Sequence, residues 1–258
     1  MRSSRPLRSM TPIAGTIEIR GILGTVVANL GVRIIRGDWP EGATIAKEAD
    51  LVTELDVSRS VIREACRILT AKGLIRSRTS DGTRVLPRSE WRMLDPDVMD
   101  WRLRAGDRDG LLRDLLKFCL IVEPGIIEHA TMLADSPARQ KVDAAWQAKK
   151  EVHRDQSRDE HDHRAALIGA DLAFHQALIH AAGSELVDQI FPAISSALEL
   201  MWEQHPPTIN AADEKAELDL YEGLYYAFCQ KNPQEAGHAM RKVIEHVIAR
   251  HRAATPGS

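Results

Sequence analysis

The stretch Val57-Ser58-Arg59-Ser60-Val61-Ile62-Arg63-Glu64-Ala65-Cys66-Arg67-Ile68-Leu69 decides how the chain is read. Ser58 is a good N-cap, the residues after it repeat at a helical period, and Gly73 is a natural stop. On a wheel of about 100° per residue with Arg59 at zero, Arg63 lies near 40°, Arg67 near 80° and Ser60 near 100°. Val61, Ala65, Ile68 and Leu69 fall between about 180° and 280°. One face packs inward; the other offers three guanidiniums and a hydroxyl. Arginine reaches two acceptors of a guanine edge or a phosphate at once. Any amphipathic surface helix can also carry three arginines, so the flanking sequence has to decide.

Upstream, Ile19, Ile22, Leu23, Val26, Val27, Leu30 and Ile34 recur at helical spacing and predict a first helix from Thr16 to about Arg36. Turn residues from Gly37 to Gly42 follow, and then a short second helix from Ala46 to Leu55. Asp56-Val57-Ser58 separates it from the arginine helix, the arrangement of a helix-turn-helix whose second helix enters a major groove. Downstream, Leu74–Arg78 and Thr83–Leu86 around Asp81-Gly82 predict a small β-hairpin with Arg76, Arg78 and Arg84 along its strands. A glycine tip lets backbone approach phosphates closely, as a wing does.

The charge distribution agrees. The chain of 258 residues has a net charge of −3, yet residues 1–90 hold 15 Lys+Arg against 10 Asp+Glu and residues 91–258 hold 19 against 27. A basic front suits a polyanion, and an acidic rear must not adhere to one. Residues are 44% hydrophobic, 28% charged and 5% aromatic, which excludes disorder for most of the chain and favours helices over an aromatic-rich sandwich. Cys66, Cys119 and Cys229 are scattered and odd in number, so neither a disulfide framework nor a Cys-x-x-Cys knuckle is expected, and a cytoplasmic location is. The longest uncharged run, Gly21 to Val32, is too short and too broken to span a membrane.

The expected organisation is a flexible arm at 1–15, a winged helix-turn-helix at 16–88, a packed linker at 89–108 and an all-helical domain at 109–254. Within the last, helices are predicted near 109–134, 138–158, 162–182, 185–203, 213–231 and 233–252, punctuated by Pro137, Gly183, Pro206-Pro207 and Asn232-Pro233. The fold class is mainly α, with one small hairpin.

These residues resemble the winged helix of GntR-superfamily transcription regulators, through Arg36-Gly37, Pro40, Gly42, Val57 to Ala65, Leu69, Gly73-Leu74-Ile75 and Gly82-x-x-Val85. The rear resembles the helical FCD effector domain of the FadR subgroup, through Glu123-Pro124, Asp171-x-x-Phe174-His175, His180-x-x-Gly183-Ser184-x-Leu186 and Ala227-Phe228. The linker from Trp91 to Trp101 is similar to that of sugar-acid (galactonate-type) operon repressors. The resemblance implies a homodimeric repressor on a palindromic double-stranded operator, with Ser58, Arg59, Ser60, Arg63, Arg67, Gly82 and Arg84 as the DNA-binding set. Ala49 stands where many relatives carry a basic residue, which removes one contact.

For the rear domain the resemblance implies a small-molecule effector, a sugar acid or related carboxylate, in a pocket to which Asp171, His175, Tyr221, Cys119 and His246 are assigned. No cofactor is required; the one candidate is a divalent metal. Asp171 and His175 are four apart and share a helix face, a spacing that lets them chelate one ion. Metal-binding relatives add two histidines where this chain has Tyr221 and Val243, with His246 or Glu222 as conceivable substitutes. The other reading makes Asp171 and His175 a hydrogen-bonded pair lining the pocket. His153, His161 and His163 read as a solvated charged segment rather than a metal cluster. An alternative from another class, a metal-dependent hydrolase or metal-binding bundle built on Asp171 and His175, lacks an evident general base beside a complete ligand set.

Overall fold

The computed structural model describes residues 21–78, 82–155, 157, 159–204 and 211–254. The expected arm at 1–15, the start of the first predicted helix and Asp81 at the hairpin tip lie outside the described residues. The chain divides into two compact units at Leu111/Leu112.

In the first unit α1 (Gly21–Arg36), α2 (Glu48–Leu55) and α3 (Arg59–Ala71) are followed by β1 (Ile75–Arg78) and β2 (Gly82–Val85). The predicted helix-turn-helix and hairpin are thus present, with ends displaced by one or two residues, the usual play at frayed termini. Val26, Val27, Leu30 and Ile34 of α1 form one core with Leu51 of α2, Ile62, Ala65 and Leu69 of α3, and Ile75 and Val85 of the hairpin. Ser58 caps α3 by accepting from the Val61 backbone N–H at 3.4 Å. The strands pair antiparallel with Ile75 opposite Val85, Arg76 opposite Arg84 and Ser77 opposite Thr83. With a period of two, Ile75 and Val85 face the core while Arg76 and Arg84 face out. Residues 42–45 lie along the free edge of β2. Gly42 N–H donates to the Val85 carbonyl, Val85 N–H to Ala43, and Ile45 N–H to Thr83, each at 2.9 Å. This third, short β segment hides in the turn sequence after α1 and was not expected.

The segment predicted as a linker is helical in part. A 3₁₀ turn at Arg88–Glu90 leads to α4 (Pro96–Arg104), which packs on α1. This helix has a local cause, since Asp95 accepts from the Asp97 and Val98 N–H groups and Pro96 sits in the first turn, where its missing N–H costs nothing. Gly31 lets α4 approach, because a Cβ there would collide with the Trp101 ring. Gly73, at φ +77°, holds the left-handed C′ position of α3 against the Glu90 carbonyl. Lys72 bridges Asp95 at 2.8 Å and Asp97 at 2.7 Å. Burial pulls its pKa down, but the two carboxylates outweigh burial and raise it.

The second unit is a bundle of α5 (Arg108–Leu133, which begins just before the division), α6 (Ser136–Arg154), α7 (Glu160–His180), α8 (Glu185–Asp188), α9 (Phe191–Gln204), α10 (Ala211–Cys229) and α11 (Pro233–Ala254). The single helix expected at 185–203 is two. Pro192, in the first turn of α9, lacks the N–H that would bond one turn back, which removes one backbone rung between α8 and α9 and suits a helix start. Pro124, by contrast, stays inside an unbroken α5. Trp146 stacks on Tyr225 at 5.3 Å and meets Phe174 at 5.6 Å, and Phe174 meets Tyr221 at 6.0 Å. Arg139 donates to the carbonyls of Ala134, Thr131 and Phe228 and so satisfies the C-terminal ends of two helices. No described helix is long and apolar enough to cross a membrane.

Candidate DNA interface and effector chamber

The outward face of α3 carries the residues assigned from the sequence. Ser58, Arg59, Ser60, Arg63 and Arg67 are all exposed. The Ser58 and Ser60 hydroxyls share a hydrogen bond of 2.8 Å. Arg63 donates to Glu48 of α2 at 3.1 Å, and Arg67 to Glu64 at 3.0 Å, with the arginine side chains 65% and 78% exposed. Pairs this open are worth at most about 1 kcal/mol, so an incoming phosphate or base edge can replace the carboxylate. Among the described residues Arg59 forms no ion pair. The inward face is slightly rotated from the expected one, since Ile62 is fully buried while Val61 and Ile68 are half-buried.

On the hairpin, Gly82 adopts φ +74°, in the left-handed region. Arg84 is exposed and donates to the Gly42 carbonyl at 3.0 Å. Arg76 pairs with Glu90 at 2.8 Å, and the Arg78 side chain lies outside the described residues. Glu48 was missed by the sequence reading, although its place at the start of the positioning helix brings a carboxylate beside the arginine face.

The second unit encloses a small cavity of about 20 Å³, bounded on its polar side by Cys119, Glu123, His175 and Tyr221. Of the five residues assigned to a pocket, Cys119, His175 and Tyr221 line it. Asp171 and His246 do not. Asp171 is engaged by Lys149, and the His246 Nε2 is buried beside the lining residues Val243, Ile244 and Val247 without a hydrogen-bond partner.

His175 lies at the centre of the polar wall. Its Nδ1 is 3.0 Å from the Glu123 carboxylate and its Nε2 3.1 Å from the Tyr221 hydroxyl. With Glu123 as a carboxylate, the network assigns Nδ1–H as donor to Glu123 and Nε2 as acceptor from the Tyr221 O–H. Burial, then the Glu217 and Glu123 carboxylates, push the Tyr221 phenol well above its ordinary range, so it stays a donor. Burial and the neighbouring Glu123 likewise keep the Cys119 thiol protonated. The chamber therefore presents fixed hydrogen-bonding groups on an otherwise apolar wall.

Two members of this polar centre escaped the sequence reading. Glu123 is an acid inside an apolar helical run, a signal noticed only as part of a motif. Lys149 falls on the same face of α6 as Val142 and Trp146, at i+7 and i+3, and all three are buried. That periodicity was legible, but a lysine beside a second lysine in a charged helix reads as surface.

Comparison with known proteins identifies the two parts of the chain. Residues 23–85 match the family described as bacterial regulatory proteins, gntR family, and residues 114–246 match the FCD domain. The galactonate operon transcriptional repressor of Escherichia coli (strain K12) is 30% identical over 179 residues, covering 69% of this chain and 75% of its own. The uncharacterized HTH-type transcriptional regulator YieP of the same organism is 24% identical over 218 residues, covering 83% of this chain and 89% of its own. Among solved structures, that of Lar, which controls the expression of the Listeria monocytogenes agr system, shares the fold with a TM-score of 0.57 at 17% identity, over 91% of this chain and 98% of that one. The hydrolase alternative finds no support in these relatives. A DNA-binding winged helix joined to an FCD domain makes this chain a transcription regulator of the GntR family.

Proposed function

We propose that the protein is a homodimeric, ligand-responsive repressor of an operon for the catabolism of a sugar acid or related carboxylate. The observation that carries the reading is the exposed ridge of Ser58, Arg59, Ser60, Arg63 and Arg67 beside a wing bearing Gly82 and Arg84. Base edges are read by the first turns of α3, and phosphates are held by the wing and by Arg67. A two-fold dimer presents two such ridges to the half-sites of a palindrome, so one basic unit per chain is enough. The effector enters at the chamber of the helical domain, which at about 20 Å³ must widen to admit it, and so favours a state whose ridges no longer match the half-site spacing. The 30% identical relative, named as the galactonate operon repressor, supports the effector class.

The test is a mobility-shift titration of the full chain against DNA upstream of its neighbouring genes, with and without a panel of sugar acids. A nanomolar, salt-sensitive complex released by one of these acids is the expected result. A chain that binds that DNA no better than random sequence overturns the operator assignment. A chain that binds specifically but responds to none of the acids overturns the effector class alone.

A further inference from the structure

A divalent ion on Asp171 and His175, which the family resemblance raises, does not fit the groups the structure places there. A metal needs deprotonated donors with free lone pairs converging on one point. Asp171 is in contact with the Lys149 ammonium, and both ring nitrogens of His175 are engaged, by Glu123 and by Tyr221. Where relatives supply two more histidines stand a phenol that keeps its proton and the alkyl side chain of Val243. Among the described residues no group of three or more His, Cys, Asp or Glu is placed to hold a metal ion.

We propose that the Lys149 ammonium is the built-in cation of this helical domain. It neutralises Asp171 and fixes the Tyr221 wall of the chamber in place of a metal, so the effector is held by hydrogen bonds rather than by chelation.

The geometry is specific. Lys149 is fully buried on α6, touches Asp171 on α7, and places its Nζ 3.8 Å from the centre of the Tyr221 ring on α10. One cation thus ties three helices together. Tyr221 is held from two sides, with its ring face on the ammonium and its hydroxyl on His175. Burial pulls the Lys149 pKa down to about 7 even against the Glu217 carboxylate one turn before Tyr221, which itself pairs with Arg250 at 2.8 Å, so the charged form depends on the contact with Asp171. An ammonium offers no open coordination position. A hydroxy acid in the chamber must therefore be recognised by Glu123, His175 and Tyr221 themselves, whichever acid it is.

The test uses the full-length protein and needs no effector. Wild type is incubated with Zn²⁺, Mn²⁺ or Ni²⁺, desalted, analysed for metal, and melted with and without EDTA. The expected result is metal far below one equivalent per chain and a Tm that neither metal nor chelator moves. Bound metal near one equivalent, or a Tm that falls with EDTA, overturns the proposal. A double-mutant cycle of Lys149→Met and Asp171→Asn tests the pairing itself. Each single change strands a buried partner and should lower Tm on the order of 10 °C, whereas the double variant should recover most of that loss. Additive losses in the double variant would show that the two residues act separately. If Lys149→Met does not fold, Asp171→Asn still decides, because an unchanged Tm in that variant contradicts a paired Lys149.

Discussion

The two units use the same side-chain chemistry in opposite surroundings. In the DNA-reading unit, Arg63 and Arg67 pair with Glu48 and Glu64 in the open, at 65% and 78% exposure. In the helical unit, Lys149, Asp171, Glu123 and His175 are all buried, at 3% or less. Water screens the first set, so each pair contributes little to stability and can be broken at little cost. The second set has no water to fall back on, so stranding one member exposes the full desolvation cost of the other. Charge in the front unit lies open to solvent and to partners. In the rear unit it shapes the interior.

The change that should separate the two regimes most sharply is Glu123→Ala. It removes the acceptor of a buried imidazole and leaves a hole in the chamber wall, with an expected loss on the order of 3 kcal/mol in urea unfolding of the helical unit. Glu123→Gln keeps an acceptor for His175 and should lose clearly less. Equal losses would mean that the carboxylate charge, which both variants remove, explains the effect rather than the filled volume or the acceptor for His175.

The front unit has its own buried constraint, at Gly31. Gly31→Ala pushes a methyl into the Trp101 ring and should cost about 1–3 kcal/mol by overpacking the α1–α4 seam. A variant as stable as wild type would mean that α4 can stand off from α1 without penalty.

Helices and hairpin were readable because capping residues, turn glycines and apolar periodicity are local. Ser58 before α3 and Gly73 after it show this well. Asp95-Pro96 is an equally local start signal, yet α4 went unread because its nine residues lie among tryptophans and charges with no clear apolar stripe. The third β segment at 42–45 was illegible for a different reason, since it exists only through pairing with β2, forty residues away. The chamber was half legible. Cys119, His175 and Tyr221 line it as expected, whereas the periodicity of α6 places Lys149 on its inner face but only the tertiary fold sets it against Asp171. Sequence pattern reports which face is apolar; it does not report which charge that face conceals.

Arg63→Ala tests whether the exposed set serves binding. It should weaken the specific operator by about 1–3 kcal/mol if the guanidinium reads a base, with random DNA affected far less. Stability should change by less than about 0.5 kcal/mol, because the lost Glu48 pair is solvent-exposed. An equal loss on both DNAs would make Arg63 a phosphate contact. Glu48→Gln should then tighten binding slightly in either case, since a carboxylate beside the ridge repels phosphates.

The rear unit also holds a histidine that should make its stability respond to mild acid. Burial first, then the Lys149 and His163 charges, lowers the His153 pKa to about 4. Below its unfolded value of about 6.5 the unfolded chain takes up a proton that the folded chain refuses. Stability contributed by this histidine is therefore intact above pH 6.5 and falls as pH drops from 6.5 toward 4. His153→Gln should flatten that part of the stability–pH curve. A slope unchanged in the variant would assign the acid sensitivity to other groups.

Arg67→Ala carries the smallest effect and the finest test of the contrast. Its pair with Glu64 is an exposed i, i+3 contact, worth about 0.2–0.5 kcal/mol to the helix, so unfolding should barely register the change. On the wheel it lies farther from Arg59 than Arg63 does, and a full turn later along α3, where a groove-entering helix has passed the bases and meets the backbone. Its loss should therefore weaken specific and random DNA alike and reduce the salt slope of binding by about one. If instead only the specific operator is affected, the ridge reads bases along its whole length. The division between a base-reading start and a phosphate-holding end of α3 would then be wrong.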